Sequence, residues 1–170
     1  RSQLAELTAS PKCSTPTRLS LTTCLMLVRN MSVVAGADQH SVCQGDTVQL
    51  SSEVIGGSDT VTYEWTSVPE GFTSDEANPV VTPDTTTTYQ LVVTDGDVQV
   101  SDEVSVIVFP LPEIELGEDM AICAGDTATL DAGEGHASYF WSTGDTTQWI
   151  AITEAGEYWV SVANEHDCSR

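Results

Sequence analysis

Val42-Cys43-Gln44-Gly45-Asp46-Thr47-Val48-Gln49-Leu50 returns about 80 residues later as Ile122-Cys123-Ala124-Gly125-Asp126-Thr127-Ala128-Thr129-Leu130. Each copy is preceded by a Gly-x-Asp (Gly36 and Asp38; Gly117 and Asp119). Each is followed by a tryptophan (Trp65, Trp141) and then by a tyrosine that opens an alternating run (Tyr89, Tyr158). Four landmarks in the same order, twice, predict a tandem pair of small domains, and in 170 residues they account for most of the chain. The repeats occupy 31–109 and 110–170, joined at Phe109-Pro110-Leu111-Pro112, whose two prolines favour a short, semi-rigid extended spacer.

Within 31–109 the apolar positions alternate. Thr47–Val54 reads as a half-buried strand through Val48, Leu50 and Ser52. Val61, Tyr63 and Trp65 share the face of a second strand. Tyr89, Leu91 and Val93 share that of a third, and Val104, Val106 and Val108 close the unit. Gly56-Gly57-Ser58-Asp59, Pro69-Glu70-Gly71 and Asp95-Gly96-Asp97 are turns between them. Short β-branched strands punctuated this often predict an all-β sandwich. Residues 110–170 repeat the plan in compressed form: Ala128 and Leu130, then Tyr139–Ser142, then Ile150 and Ile152, then Tyr158, Val160 and Val162. The sequence stops where the first repeat begins its last strand, so the second sandwich is expected to lack its closing strand and to carry an open edge. Each unit is small enough to bury only roughly 60–65% of its unfolded surface, so staples help.

The chain carries a formal net charge of −21. Arg1, Lys12, Arg18 and Arg29 precede Met31 and Arg170 is the last residue, so no Lys or Arg lies between, while every acid except Glu6 does. A surface without cations repels nucleic acid and anionic membranes, stays soluble by self-repulsion and attracts divalent cations. No apolar run approaches the length of a membrane span. Residues 1–30, basic and differently composed, are expected to be poorly ordered and stand outside the fold argument. Their loose alternation between Arg18 and Val28 also fits a terminal strand of a preceding unit. The sequence opens on Arg without a signal peptide, as a piece of something longer would.

Gly125-Asp126-Thr127-Ala128-Thr129-Leu130, Trp141 and Glu154-Ala155-Gly156-Glu157-Tyr158-Trp159-Val160 together resemble the skeleton of immunoglobulin-like domains. Trp141 stands at the strand C position and Tyr158 at the tyrosine corner. Ala132 and Val160 stand where antibody domains place their inter-sheet cysteines. Tyr63-Glu64-Trp65, Pro69-Glu70-Gly71-Phe72 and Thr85-Thr86-Thr87-Thr88-Tyr89 resemble PKD repeats. More narrowly, both units resemble the Ig/PKD-like repeats of very large secreted surface proteins of Bacteroidetes. Runs such as Leu130-Asp131-Ala132-Gly133 and Trp141-Ser142-Thr143-Gly144, followed by Thr146-Thr147-Gln148, recur there. The resemblance covers about residues 31–170. It implies an exported, cell-surface or adhesin-like array, often leaving by type IX secretion, with neighbouring repeats of the same chain as its first partners.

The resemblance also implies a disulfide from the cysteine before the second strand to the one after the tyrosine strand, here Cys123 to Cys168. Closing that loop is worth up to about 4 kcal/mol. In the first repeat Val98 stands where the partner of Cys43 belongs, which leaves Cys43 free or paired with Cys13 or Cys24. The core is expected around Trp65, Tyr89, Trp141 and Tyr158. Two groups of acids, Asp95, Asp97 and Asp102 before the joint and Glu113, Glu115, Glu118 and Asp119 after it, are the candidate ligands for Ca2+. No EF-hand spacing is present, and acidic turns are ordinarily just solvated.

Trp149 and Trp159 point outward by strand period and are the candidate sugar-stacking residues, although their strands belong to opposite sheets of such a sandwich. His40, His136 and His166 fall in three separate turns, with neither a zinc-protease helix motif nor a nucleophile elbow. The reading is a non-catalytic structural or adhesive repeat of an exported surface protein, a stiff spacer or adhesion unit meeting neighbouring repeats, a surface glycan or a protein ligand. The alternative is a carbohydrate-binding accessory module of a secreted polysaccharide-degrading enzyme.

Overall fold

The computed structural model describes residues 30–170 except Asp59 and Ala124. The expectations for the basic first residues, including a strand between Arg18 and Val28 and bonds from Cys13 or Cys24, lie outside the described residues. Every regular element among the described residues is a β-strand.

The chain forms two compact units, and neither is one continuous stretch. Among the described residues the first takes in 30–40, Val48–Val81 and Thr87–Val106. The second takes in Ser41–Thr47, Thr82–Thr86 and Ile107–Arg170. Three pieces that precede the prolines in sequence therefore belong to the same unit as the second repeat. Backbone hydrogen bonding accounts for this. Strand β2 (Ser41–Cys43) runs parallel to the end of β8 (Val98–Phe109), with Val42 opposite Val108 and Cys43 opposite Phe109. Gln44 N then donates to Phe109 O at 2.9 Å, and Val108 N donates to Thr86 Oγ1 at 3.0 Å.

In the first repeat, β1 (Ser32–Ala37), β3 (Val48–Ile55) and β6 (Val80–Val81) form one sheet in the order β1-β3-β6. With β4 (Thr62–Val68), β5 (Thr73–Ser74) and β7 (Thr87–Asp95), the other sheet has the order β2-β8-β7-β4-β5. Alternation decides what is buried: Val48 and Leu50 are enclosed while Gln49 and Ser51 are exposed, and Tyr89, Leu91 and Val93 are enclosed along β7. Each such aliphatic side chain contributes about 1.5–3 kcal/mol through burial. Trp65 is fully buried among them.

Strand β6 has only two residues, so side chains complete its attachment. Gln49 Nε2 donates to Asn78 O at 2.6 Å, and Asn78 Oδ1 accepts from Ser52 N at 2.8 Å. On β8 the inward parity running through Val100, Val104 and Val106 is interrupted by Asp102. Its carboxylate accepts the Ala35 N–H of β1 at 3.0 Å, which satisfies a part-buried charge and a strand amide at once.

In the second repeat, β9 (Ala128–Asp131) pairs antiparallel with β11 (Trp149–Ile152), and β10 (Ser138–Trp141) with β12 (Val160–Ala163). Ala132, Trp141, Ile150 and Val162 form the core, with Leu116, Leu130, Tyr158 and Val160 packed against it. Ala132 is buried there, 3% exposed. Beyond β12 the chain already turns back: Ser169 bridges Ala163, and Arg170 exchanges both backbone hydrogen bonds with Val162 at 3.1 and 3.2 Å. The edge expected to be open is thus engaged by these two residues, in the place β8 takes beside β7.

Candidate functional site: a disulfide clasp in the second unit

Cys43 ends β2 and is followed by a tight turn. Gly45 adopts φ +92°, a conformation that costs a side-chain-bearing residue about 1–2 kcal/mol, and Asp46 N donates to Cys43 O at 3.0 Å. The Asp46 carboxylate in return accepts the Cys43 N–H at 3.1 Å, so both backbone groups of the cysteine are fixed. The second repeat builds the same turn: Gly125 has φ +97° and Asp126 N donates to Cys123 O at 3.0 Å.

Cys168 sits in the loop after β12, and Asn164 organises that loop. Its side-chain oxygen accepts the N–H groups of His166 and Cys168 at 2.9 and 3.1 Å, while its Nδ2 donates to Pro110 O at 2.9 Å. His166 lies flat on Phe109, with ring centroids 3.5 Å apart and planes 10° apart. Between these contacts Cys43 and Cys168 form a disulfide, with Cα atoms 5.5 Å apart and a separation of 125 positions in sequence. Cys168 is only 1% exposed. Disulfides form and persist in oxidising compartments, which is where this bond is at home. No helix among the described residues is long and apolar enough to cross a membrane.

The bond corrects two expectations. Cys168 is not paired with Cys123, and Cys43 is not free; Cys123 carries the free, exposed thiol among the described residues. The physical reason is strand direction. Ser138, which opens β10, pairs with Ala163, which ends β12, and Ala137 N donates to Ala163 O at 2.8 Å. The exit of β12 therefore lies beside the turn that comes after β9. Cys123 precedes β9, at the other end, where Met120 and Ile122 line a hollow with Ile152, Gly156 and Tyr158. A four-residue strand covers roughly 13 Å, and two cysteines bridge only when their Cα atoms lie within about 7 Å.

Of the expected core residues, Trp65 and Trp141 are fully buried and Tyr89 is 2% exposed. Tyr158 is half-buried and its hydroxyl donates to Glu154 O at 3.1 Å. Trp141 Nε1 donates to Thr147 O at 2.7 Å, whereas Trp65 Nε1 reaches Ala77 O only at 3.4 Å. Burial pushes the Tyr89 phenol above its ordinary pKa, against a smaller opposite effect of its hydrogen bond with Thr87. Hydrogen bonds from Gln148 and from the Gly133 N–H hold the exposed Asp131 carboxyl below its usual range.

Trp149 and Trp159 are both more than half exposed and lie in different sheets, Trp149 on β11 and Trp159 just before β12. The ring that meets Trp159 is Phe140, with centroids 6.0 Å apart and planes at 49°. Periodicity singled out the tryptophans alone; the cross-strand register of β10 and β12 is what brings Phe140 to Trp159.

Among the described residues no three His, Cys, Asp or Glu side chains come together as a metal site. Of the candidate acids before the joint, Asp95 receives Ser58 Oγ–H and N–H at 2.6 and 2.8 Å, and Asp102 receives Ala35 N–H, so both serve local structure. Glu113, Glu115, Glu118 and Asp119 are all exposed. Of the histidines, His136 meets Tyr139 edge-on and His166 stacks on Phe109, while His40 is exposed. No protein-family model matches the chain, and no curated protein matches it in sequence.

Proposed function

We propose that the chain is a non-catalytic structural module, a pair of tandem immunoglobulin/PKD-like sandwiches that acts as a stiff spacer or adhesion unit of an exported surface protein. The observation that carries this reading is the Cys43–Cys168 bond. It takes the repeated Cys-x-Gly-Asp-Thr motif of the first repeat and ties it to the strand exit of the second, so tension applied to the chain ends passes through the bond. The sheet orders β1-β3-β6 and β2-β8-β7-β4-β5 support the fold assignment, since they match an A-B-E layer and a G-F-C layer. The Tyr158 hydroxyl bond to a carbonyl four residues upstream supports it too, as a tyrosine corner.

Pulling single molecules by their termini tests the reading. The oxidised chain is expected to keep the stretch between the two cysteines, which stand 125 positions apart in sequence, out of the extension. Reduction is expected to release roughly 40–45 nm more contour at about 3.3–3.6 Å per residue. Full extension of the oxidised chain at low force would overturn it.

A second reading, a module that binds a neutral glycan, is favoured by the exposed Phe140–Trp159 pair. Neutral polysaccharides titrated against tryptophan fluorescence test it. A response abolished by Trp159→Ala and Phe140→Ala supports this reading, and an unchanged spectrum excludes it.

A further inference from the structure

We infer that Cys123 is the anchor of a second clasp, whose partner is a cysteine at the strand exit of a further sandwich repeat, the position Cys168 occupies here. The inference rests on the tandem-array reading and adds which residue takes the next repeat and where on that repeat the bond falls.

Three observations carry it. Cys123 stands in the same motif as Cys43 and in the same turn, with the Gly at φ +97° against +92° and the same 3.0 Å bond from the Asp N–H to the cysteine carbonyl. Cys43, its counterpart, is disulfide-bonded in this structure to a cysteine beyond β12, and the segment carrying it, Ser41–Thr47, belongs to the compact unit formed by the next repeat. Cys123 is exposed and its thiol free, and the strand exit of its own unit is at the opposite end and already taken. What the first repeat does with its motif cysteine, the second is built to do with the repeat after it.

The chemistry is thiol–disulfide exchange with a small-molecule or protein disulfide as oxidant. The Cys123 thiolate attacks one sulfur of the oxidant, forming a mixed disulfide and expelling one thiolate. The partner cysteine's thiolate then attacks the Cys123 sulfur and expels the other. Two protein thiols become one disulfide, the oxidant is reduced to two thiols, and the protons pass between thiols through solvent.

The test extends the full chain at Arg170 with a second copy of residues 102–170, in a background carrying Cys13→Ser and Cys24→Ser. After oxidation with oxidised glutathione, free thiols are alkylated and the linked peptides mapped. Cys123 is expected to lose its alkylation and appear linked to the appended Cys168. Recovery of Cys123 as an alkylated thiol, or the appended Cys168 linked inside its own unit, overturns the inference. The unextended chain carrying Cys43→Ser gives a second measurement that needs no new unit to fold. Its Cys123 and Cys168 are expected not to join within one molecule, and their joining overturns the inference. Either overturning result leaves the pulling experiment, and with it the array reading, unaffected.

Discussion

Cys43 and Cys168 stand 125 positions apart in sequence and 5.5 Å apart between Cα atoms, joined through sulfur. A bond closing so long a loop removes much of the freedom of the unfolded chain, worth up to about 5 kcal/mol by chain entropy. Cys43→Ser, or reduction, is therefore expected to lower unfolding stability by up to that amount, read by urea denaturation. Cys123→Ser should leave the midpoint unchanged. A loss in the second variant and none in the first would assign the bond to the wrong cysteine.

The two buried tryptophans should respond differently to loss of their ring N–H. Trp141 donates at 2.7 Å to Thr147 O and Trp65 only at 3.4 Å to Ala77 O. Trp141→Phe strands a part-buried carbonyl and is expected to cost about 1 kcal/mol more than Trp65→Phe. Either tryptophan changed to Ala should cost about 3–5 kcal/mol. Denaturation monitored by circular dichroism reads both series; equal costs for the two Phe variants would remove the hydrogen-bond argument.

Gly45 and Gly125 both have positive φ, and a Cβ added at either would meet nothing within 4 Å. Strain in the backbone is then the whole cost, so Gly45→Ala and Gly125→Ala should each lose about 1–2 kcal/mol. Gly56→Ala should lose more. There the Cβ would collide with the Asn30 carbonyl as well as sit at φ +79°. Thermal melts of the three variants check the ranking.

Tyr89 sets a limit at high pH. Its folded pKa is raised by burial, so its contribution is complete below the ordinary phenol pKa of about 10 and is lost as pH rises through the folded value. Stability should fall across that alkaline window, and Tyr89→Phe should flatten the fall. Asp131 works in the opposite sense: its lowered pKa gives a stabilising contribution present above the ordinary carboxyl value and lost as pH drops through the folded one. Gln148→Ala should move the Asp131 titration, measured by NMR, back toward the ordinary range.

The strands were legible because alternation is a strong signal where one face is buried. Val48 and Leu50, Tyr89 through Val93, and Ile150 fall where period two puts them, and Trp65 and Trp141 are enclosed at the centre of their units. The clasp was not legible from spacing. Cys43, Cys123 and Cys168 look like a complete pair and a leftover, and only the run of the strands says which is which. The signal was present in the fold reading itself: in such a sandwich the strand after Cys123 and the strand before Cys168 run the same way, so those cysteines belong to opposite ends. Nothing in the composition announced Phe109 stacking on His166 or Asn164 reaching Pro110, because both depend on a loop of irregular backbone.

Peptide mapping of the oxidised, unreduced chain decides which cysteine Cys168 holds. No Lys or Arg lies between Met31 and Ser169 and no Glu between Glu6 and Glu53, so trypsin and cleavage at glutamate are combined, which separates Cys43 from Cys13 and Cys24. One linked pair containing Cys43 and Cys168 is expected, with Cys123 recovered as an alkylated thiol. A linked pair containing Cys123 and Cys168, with Cys43 alkylated, would contradict it.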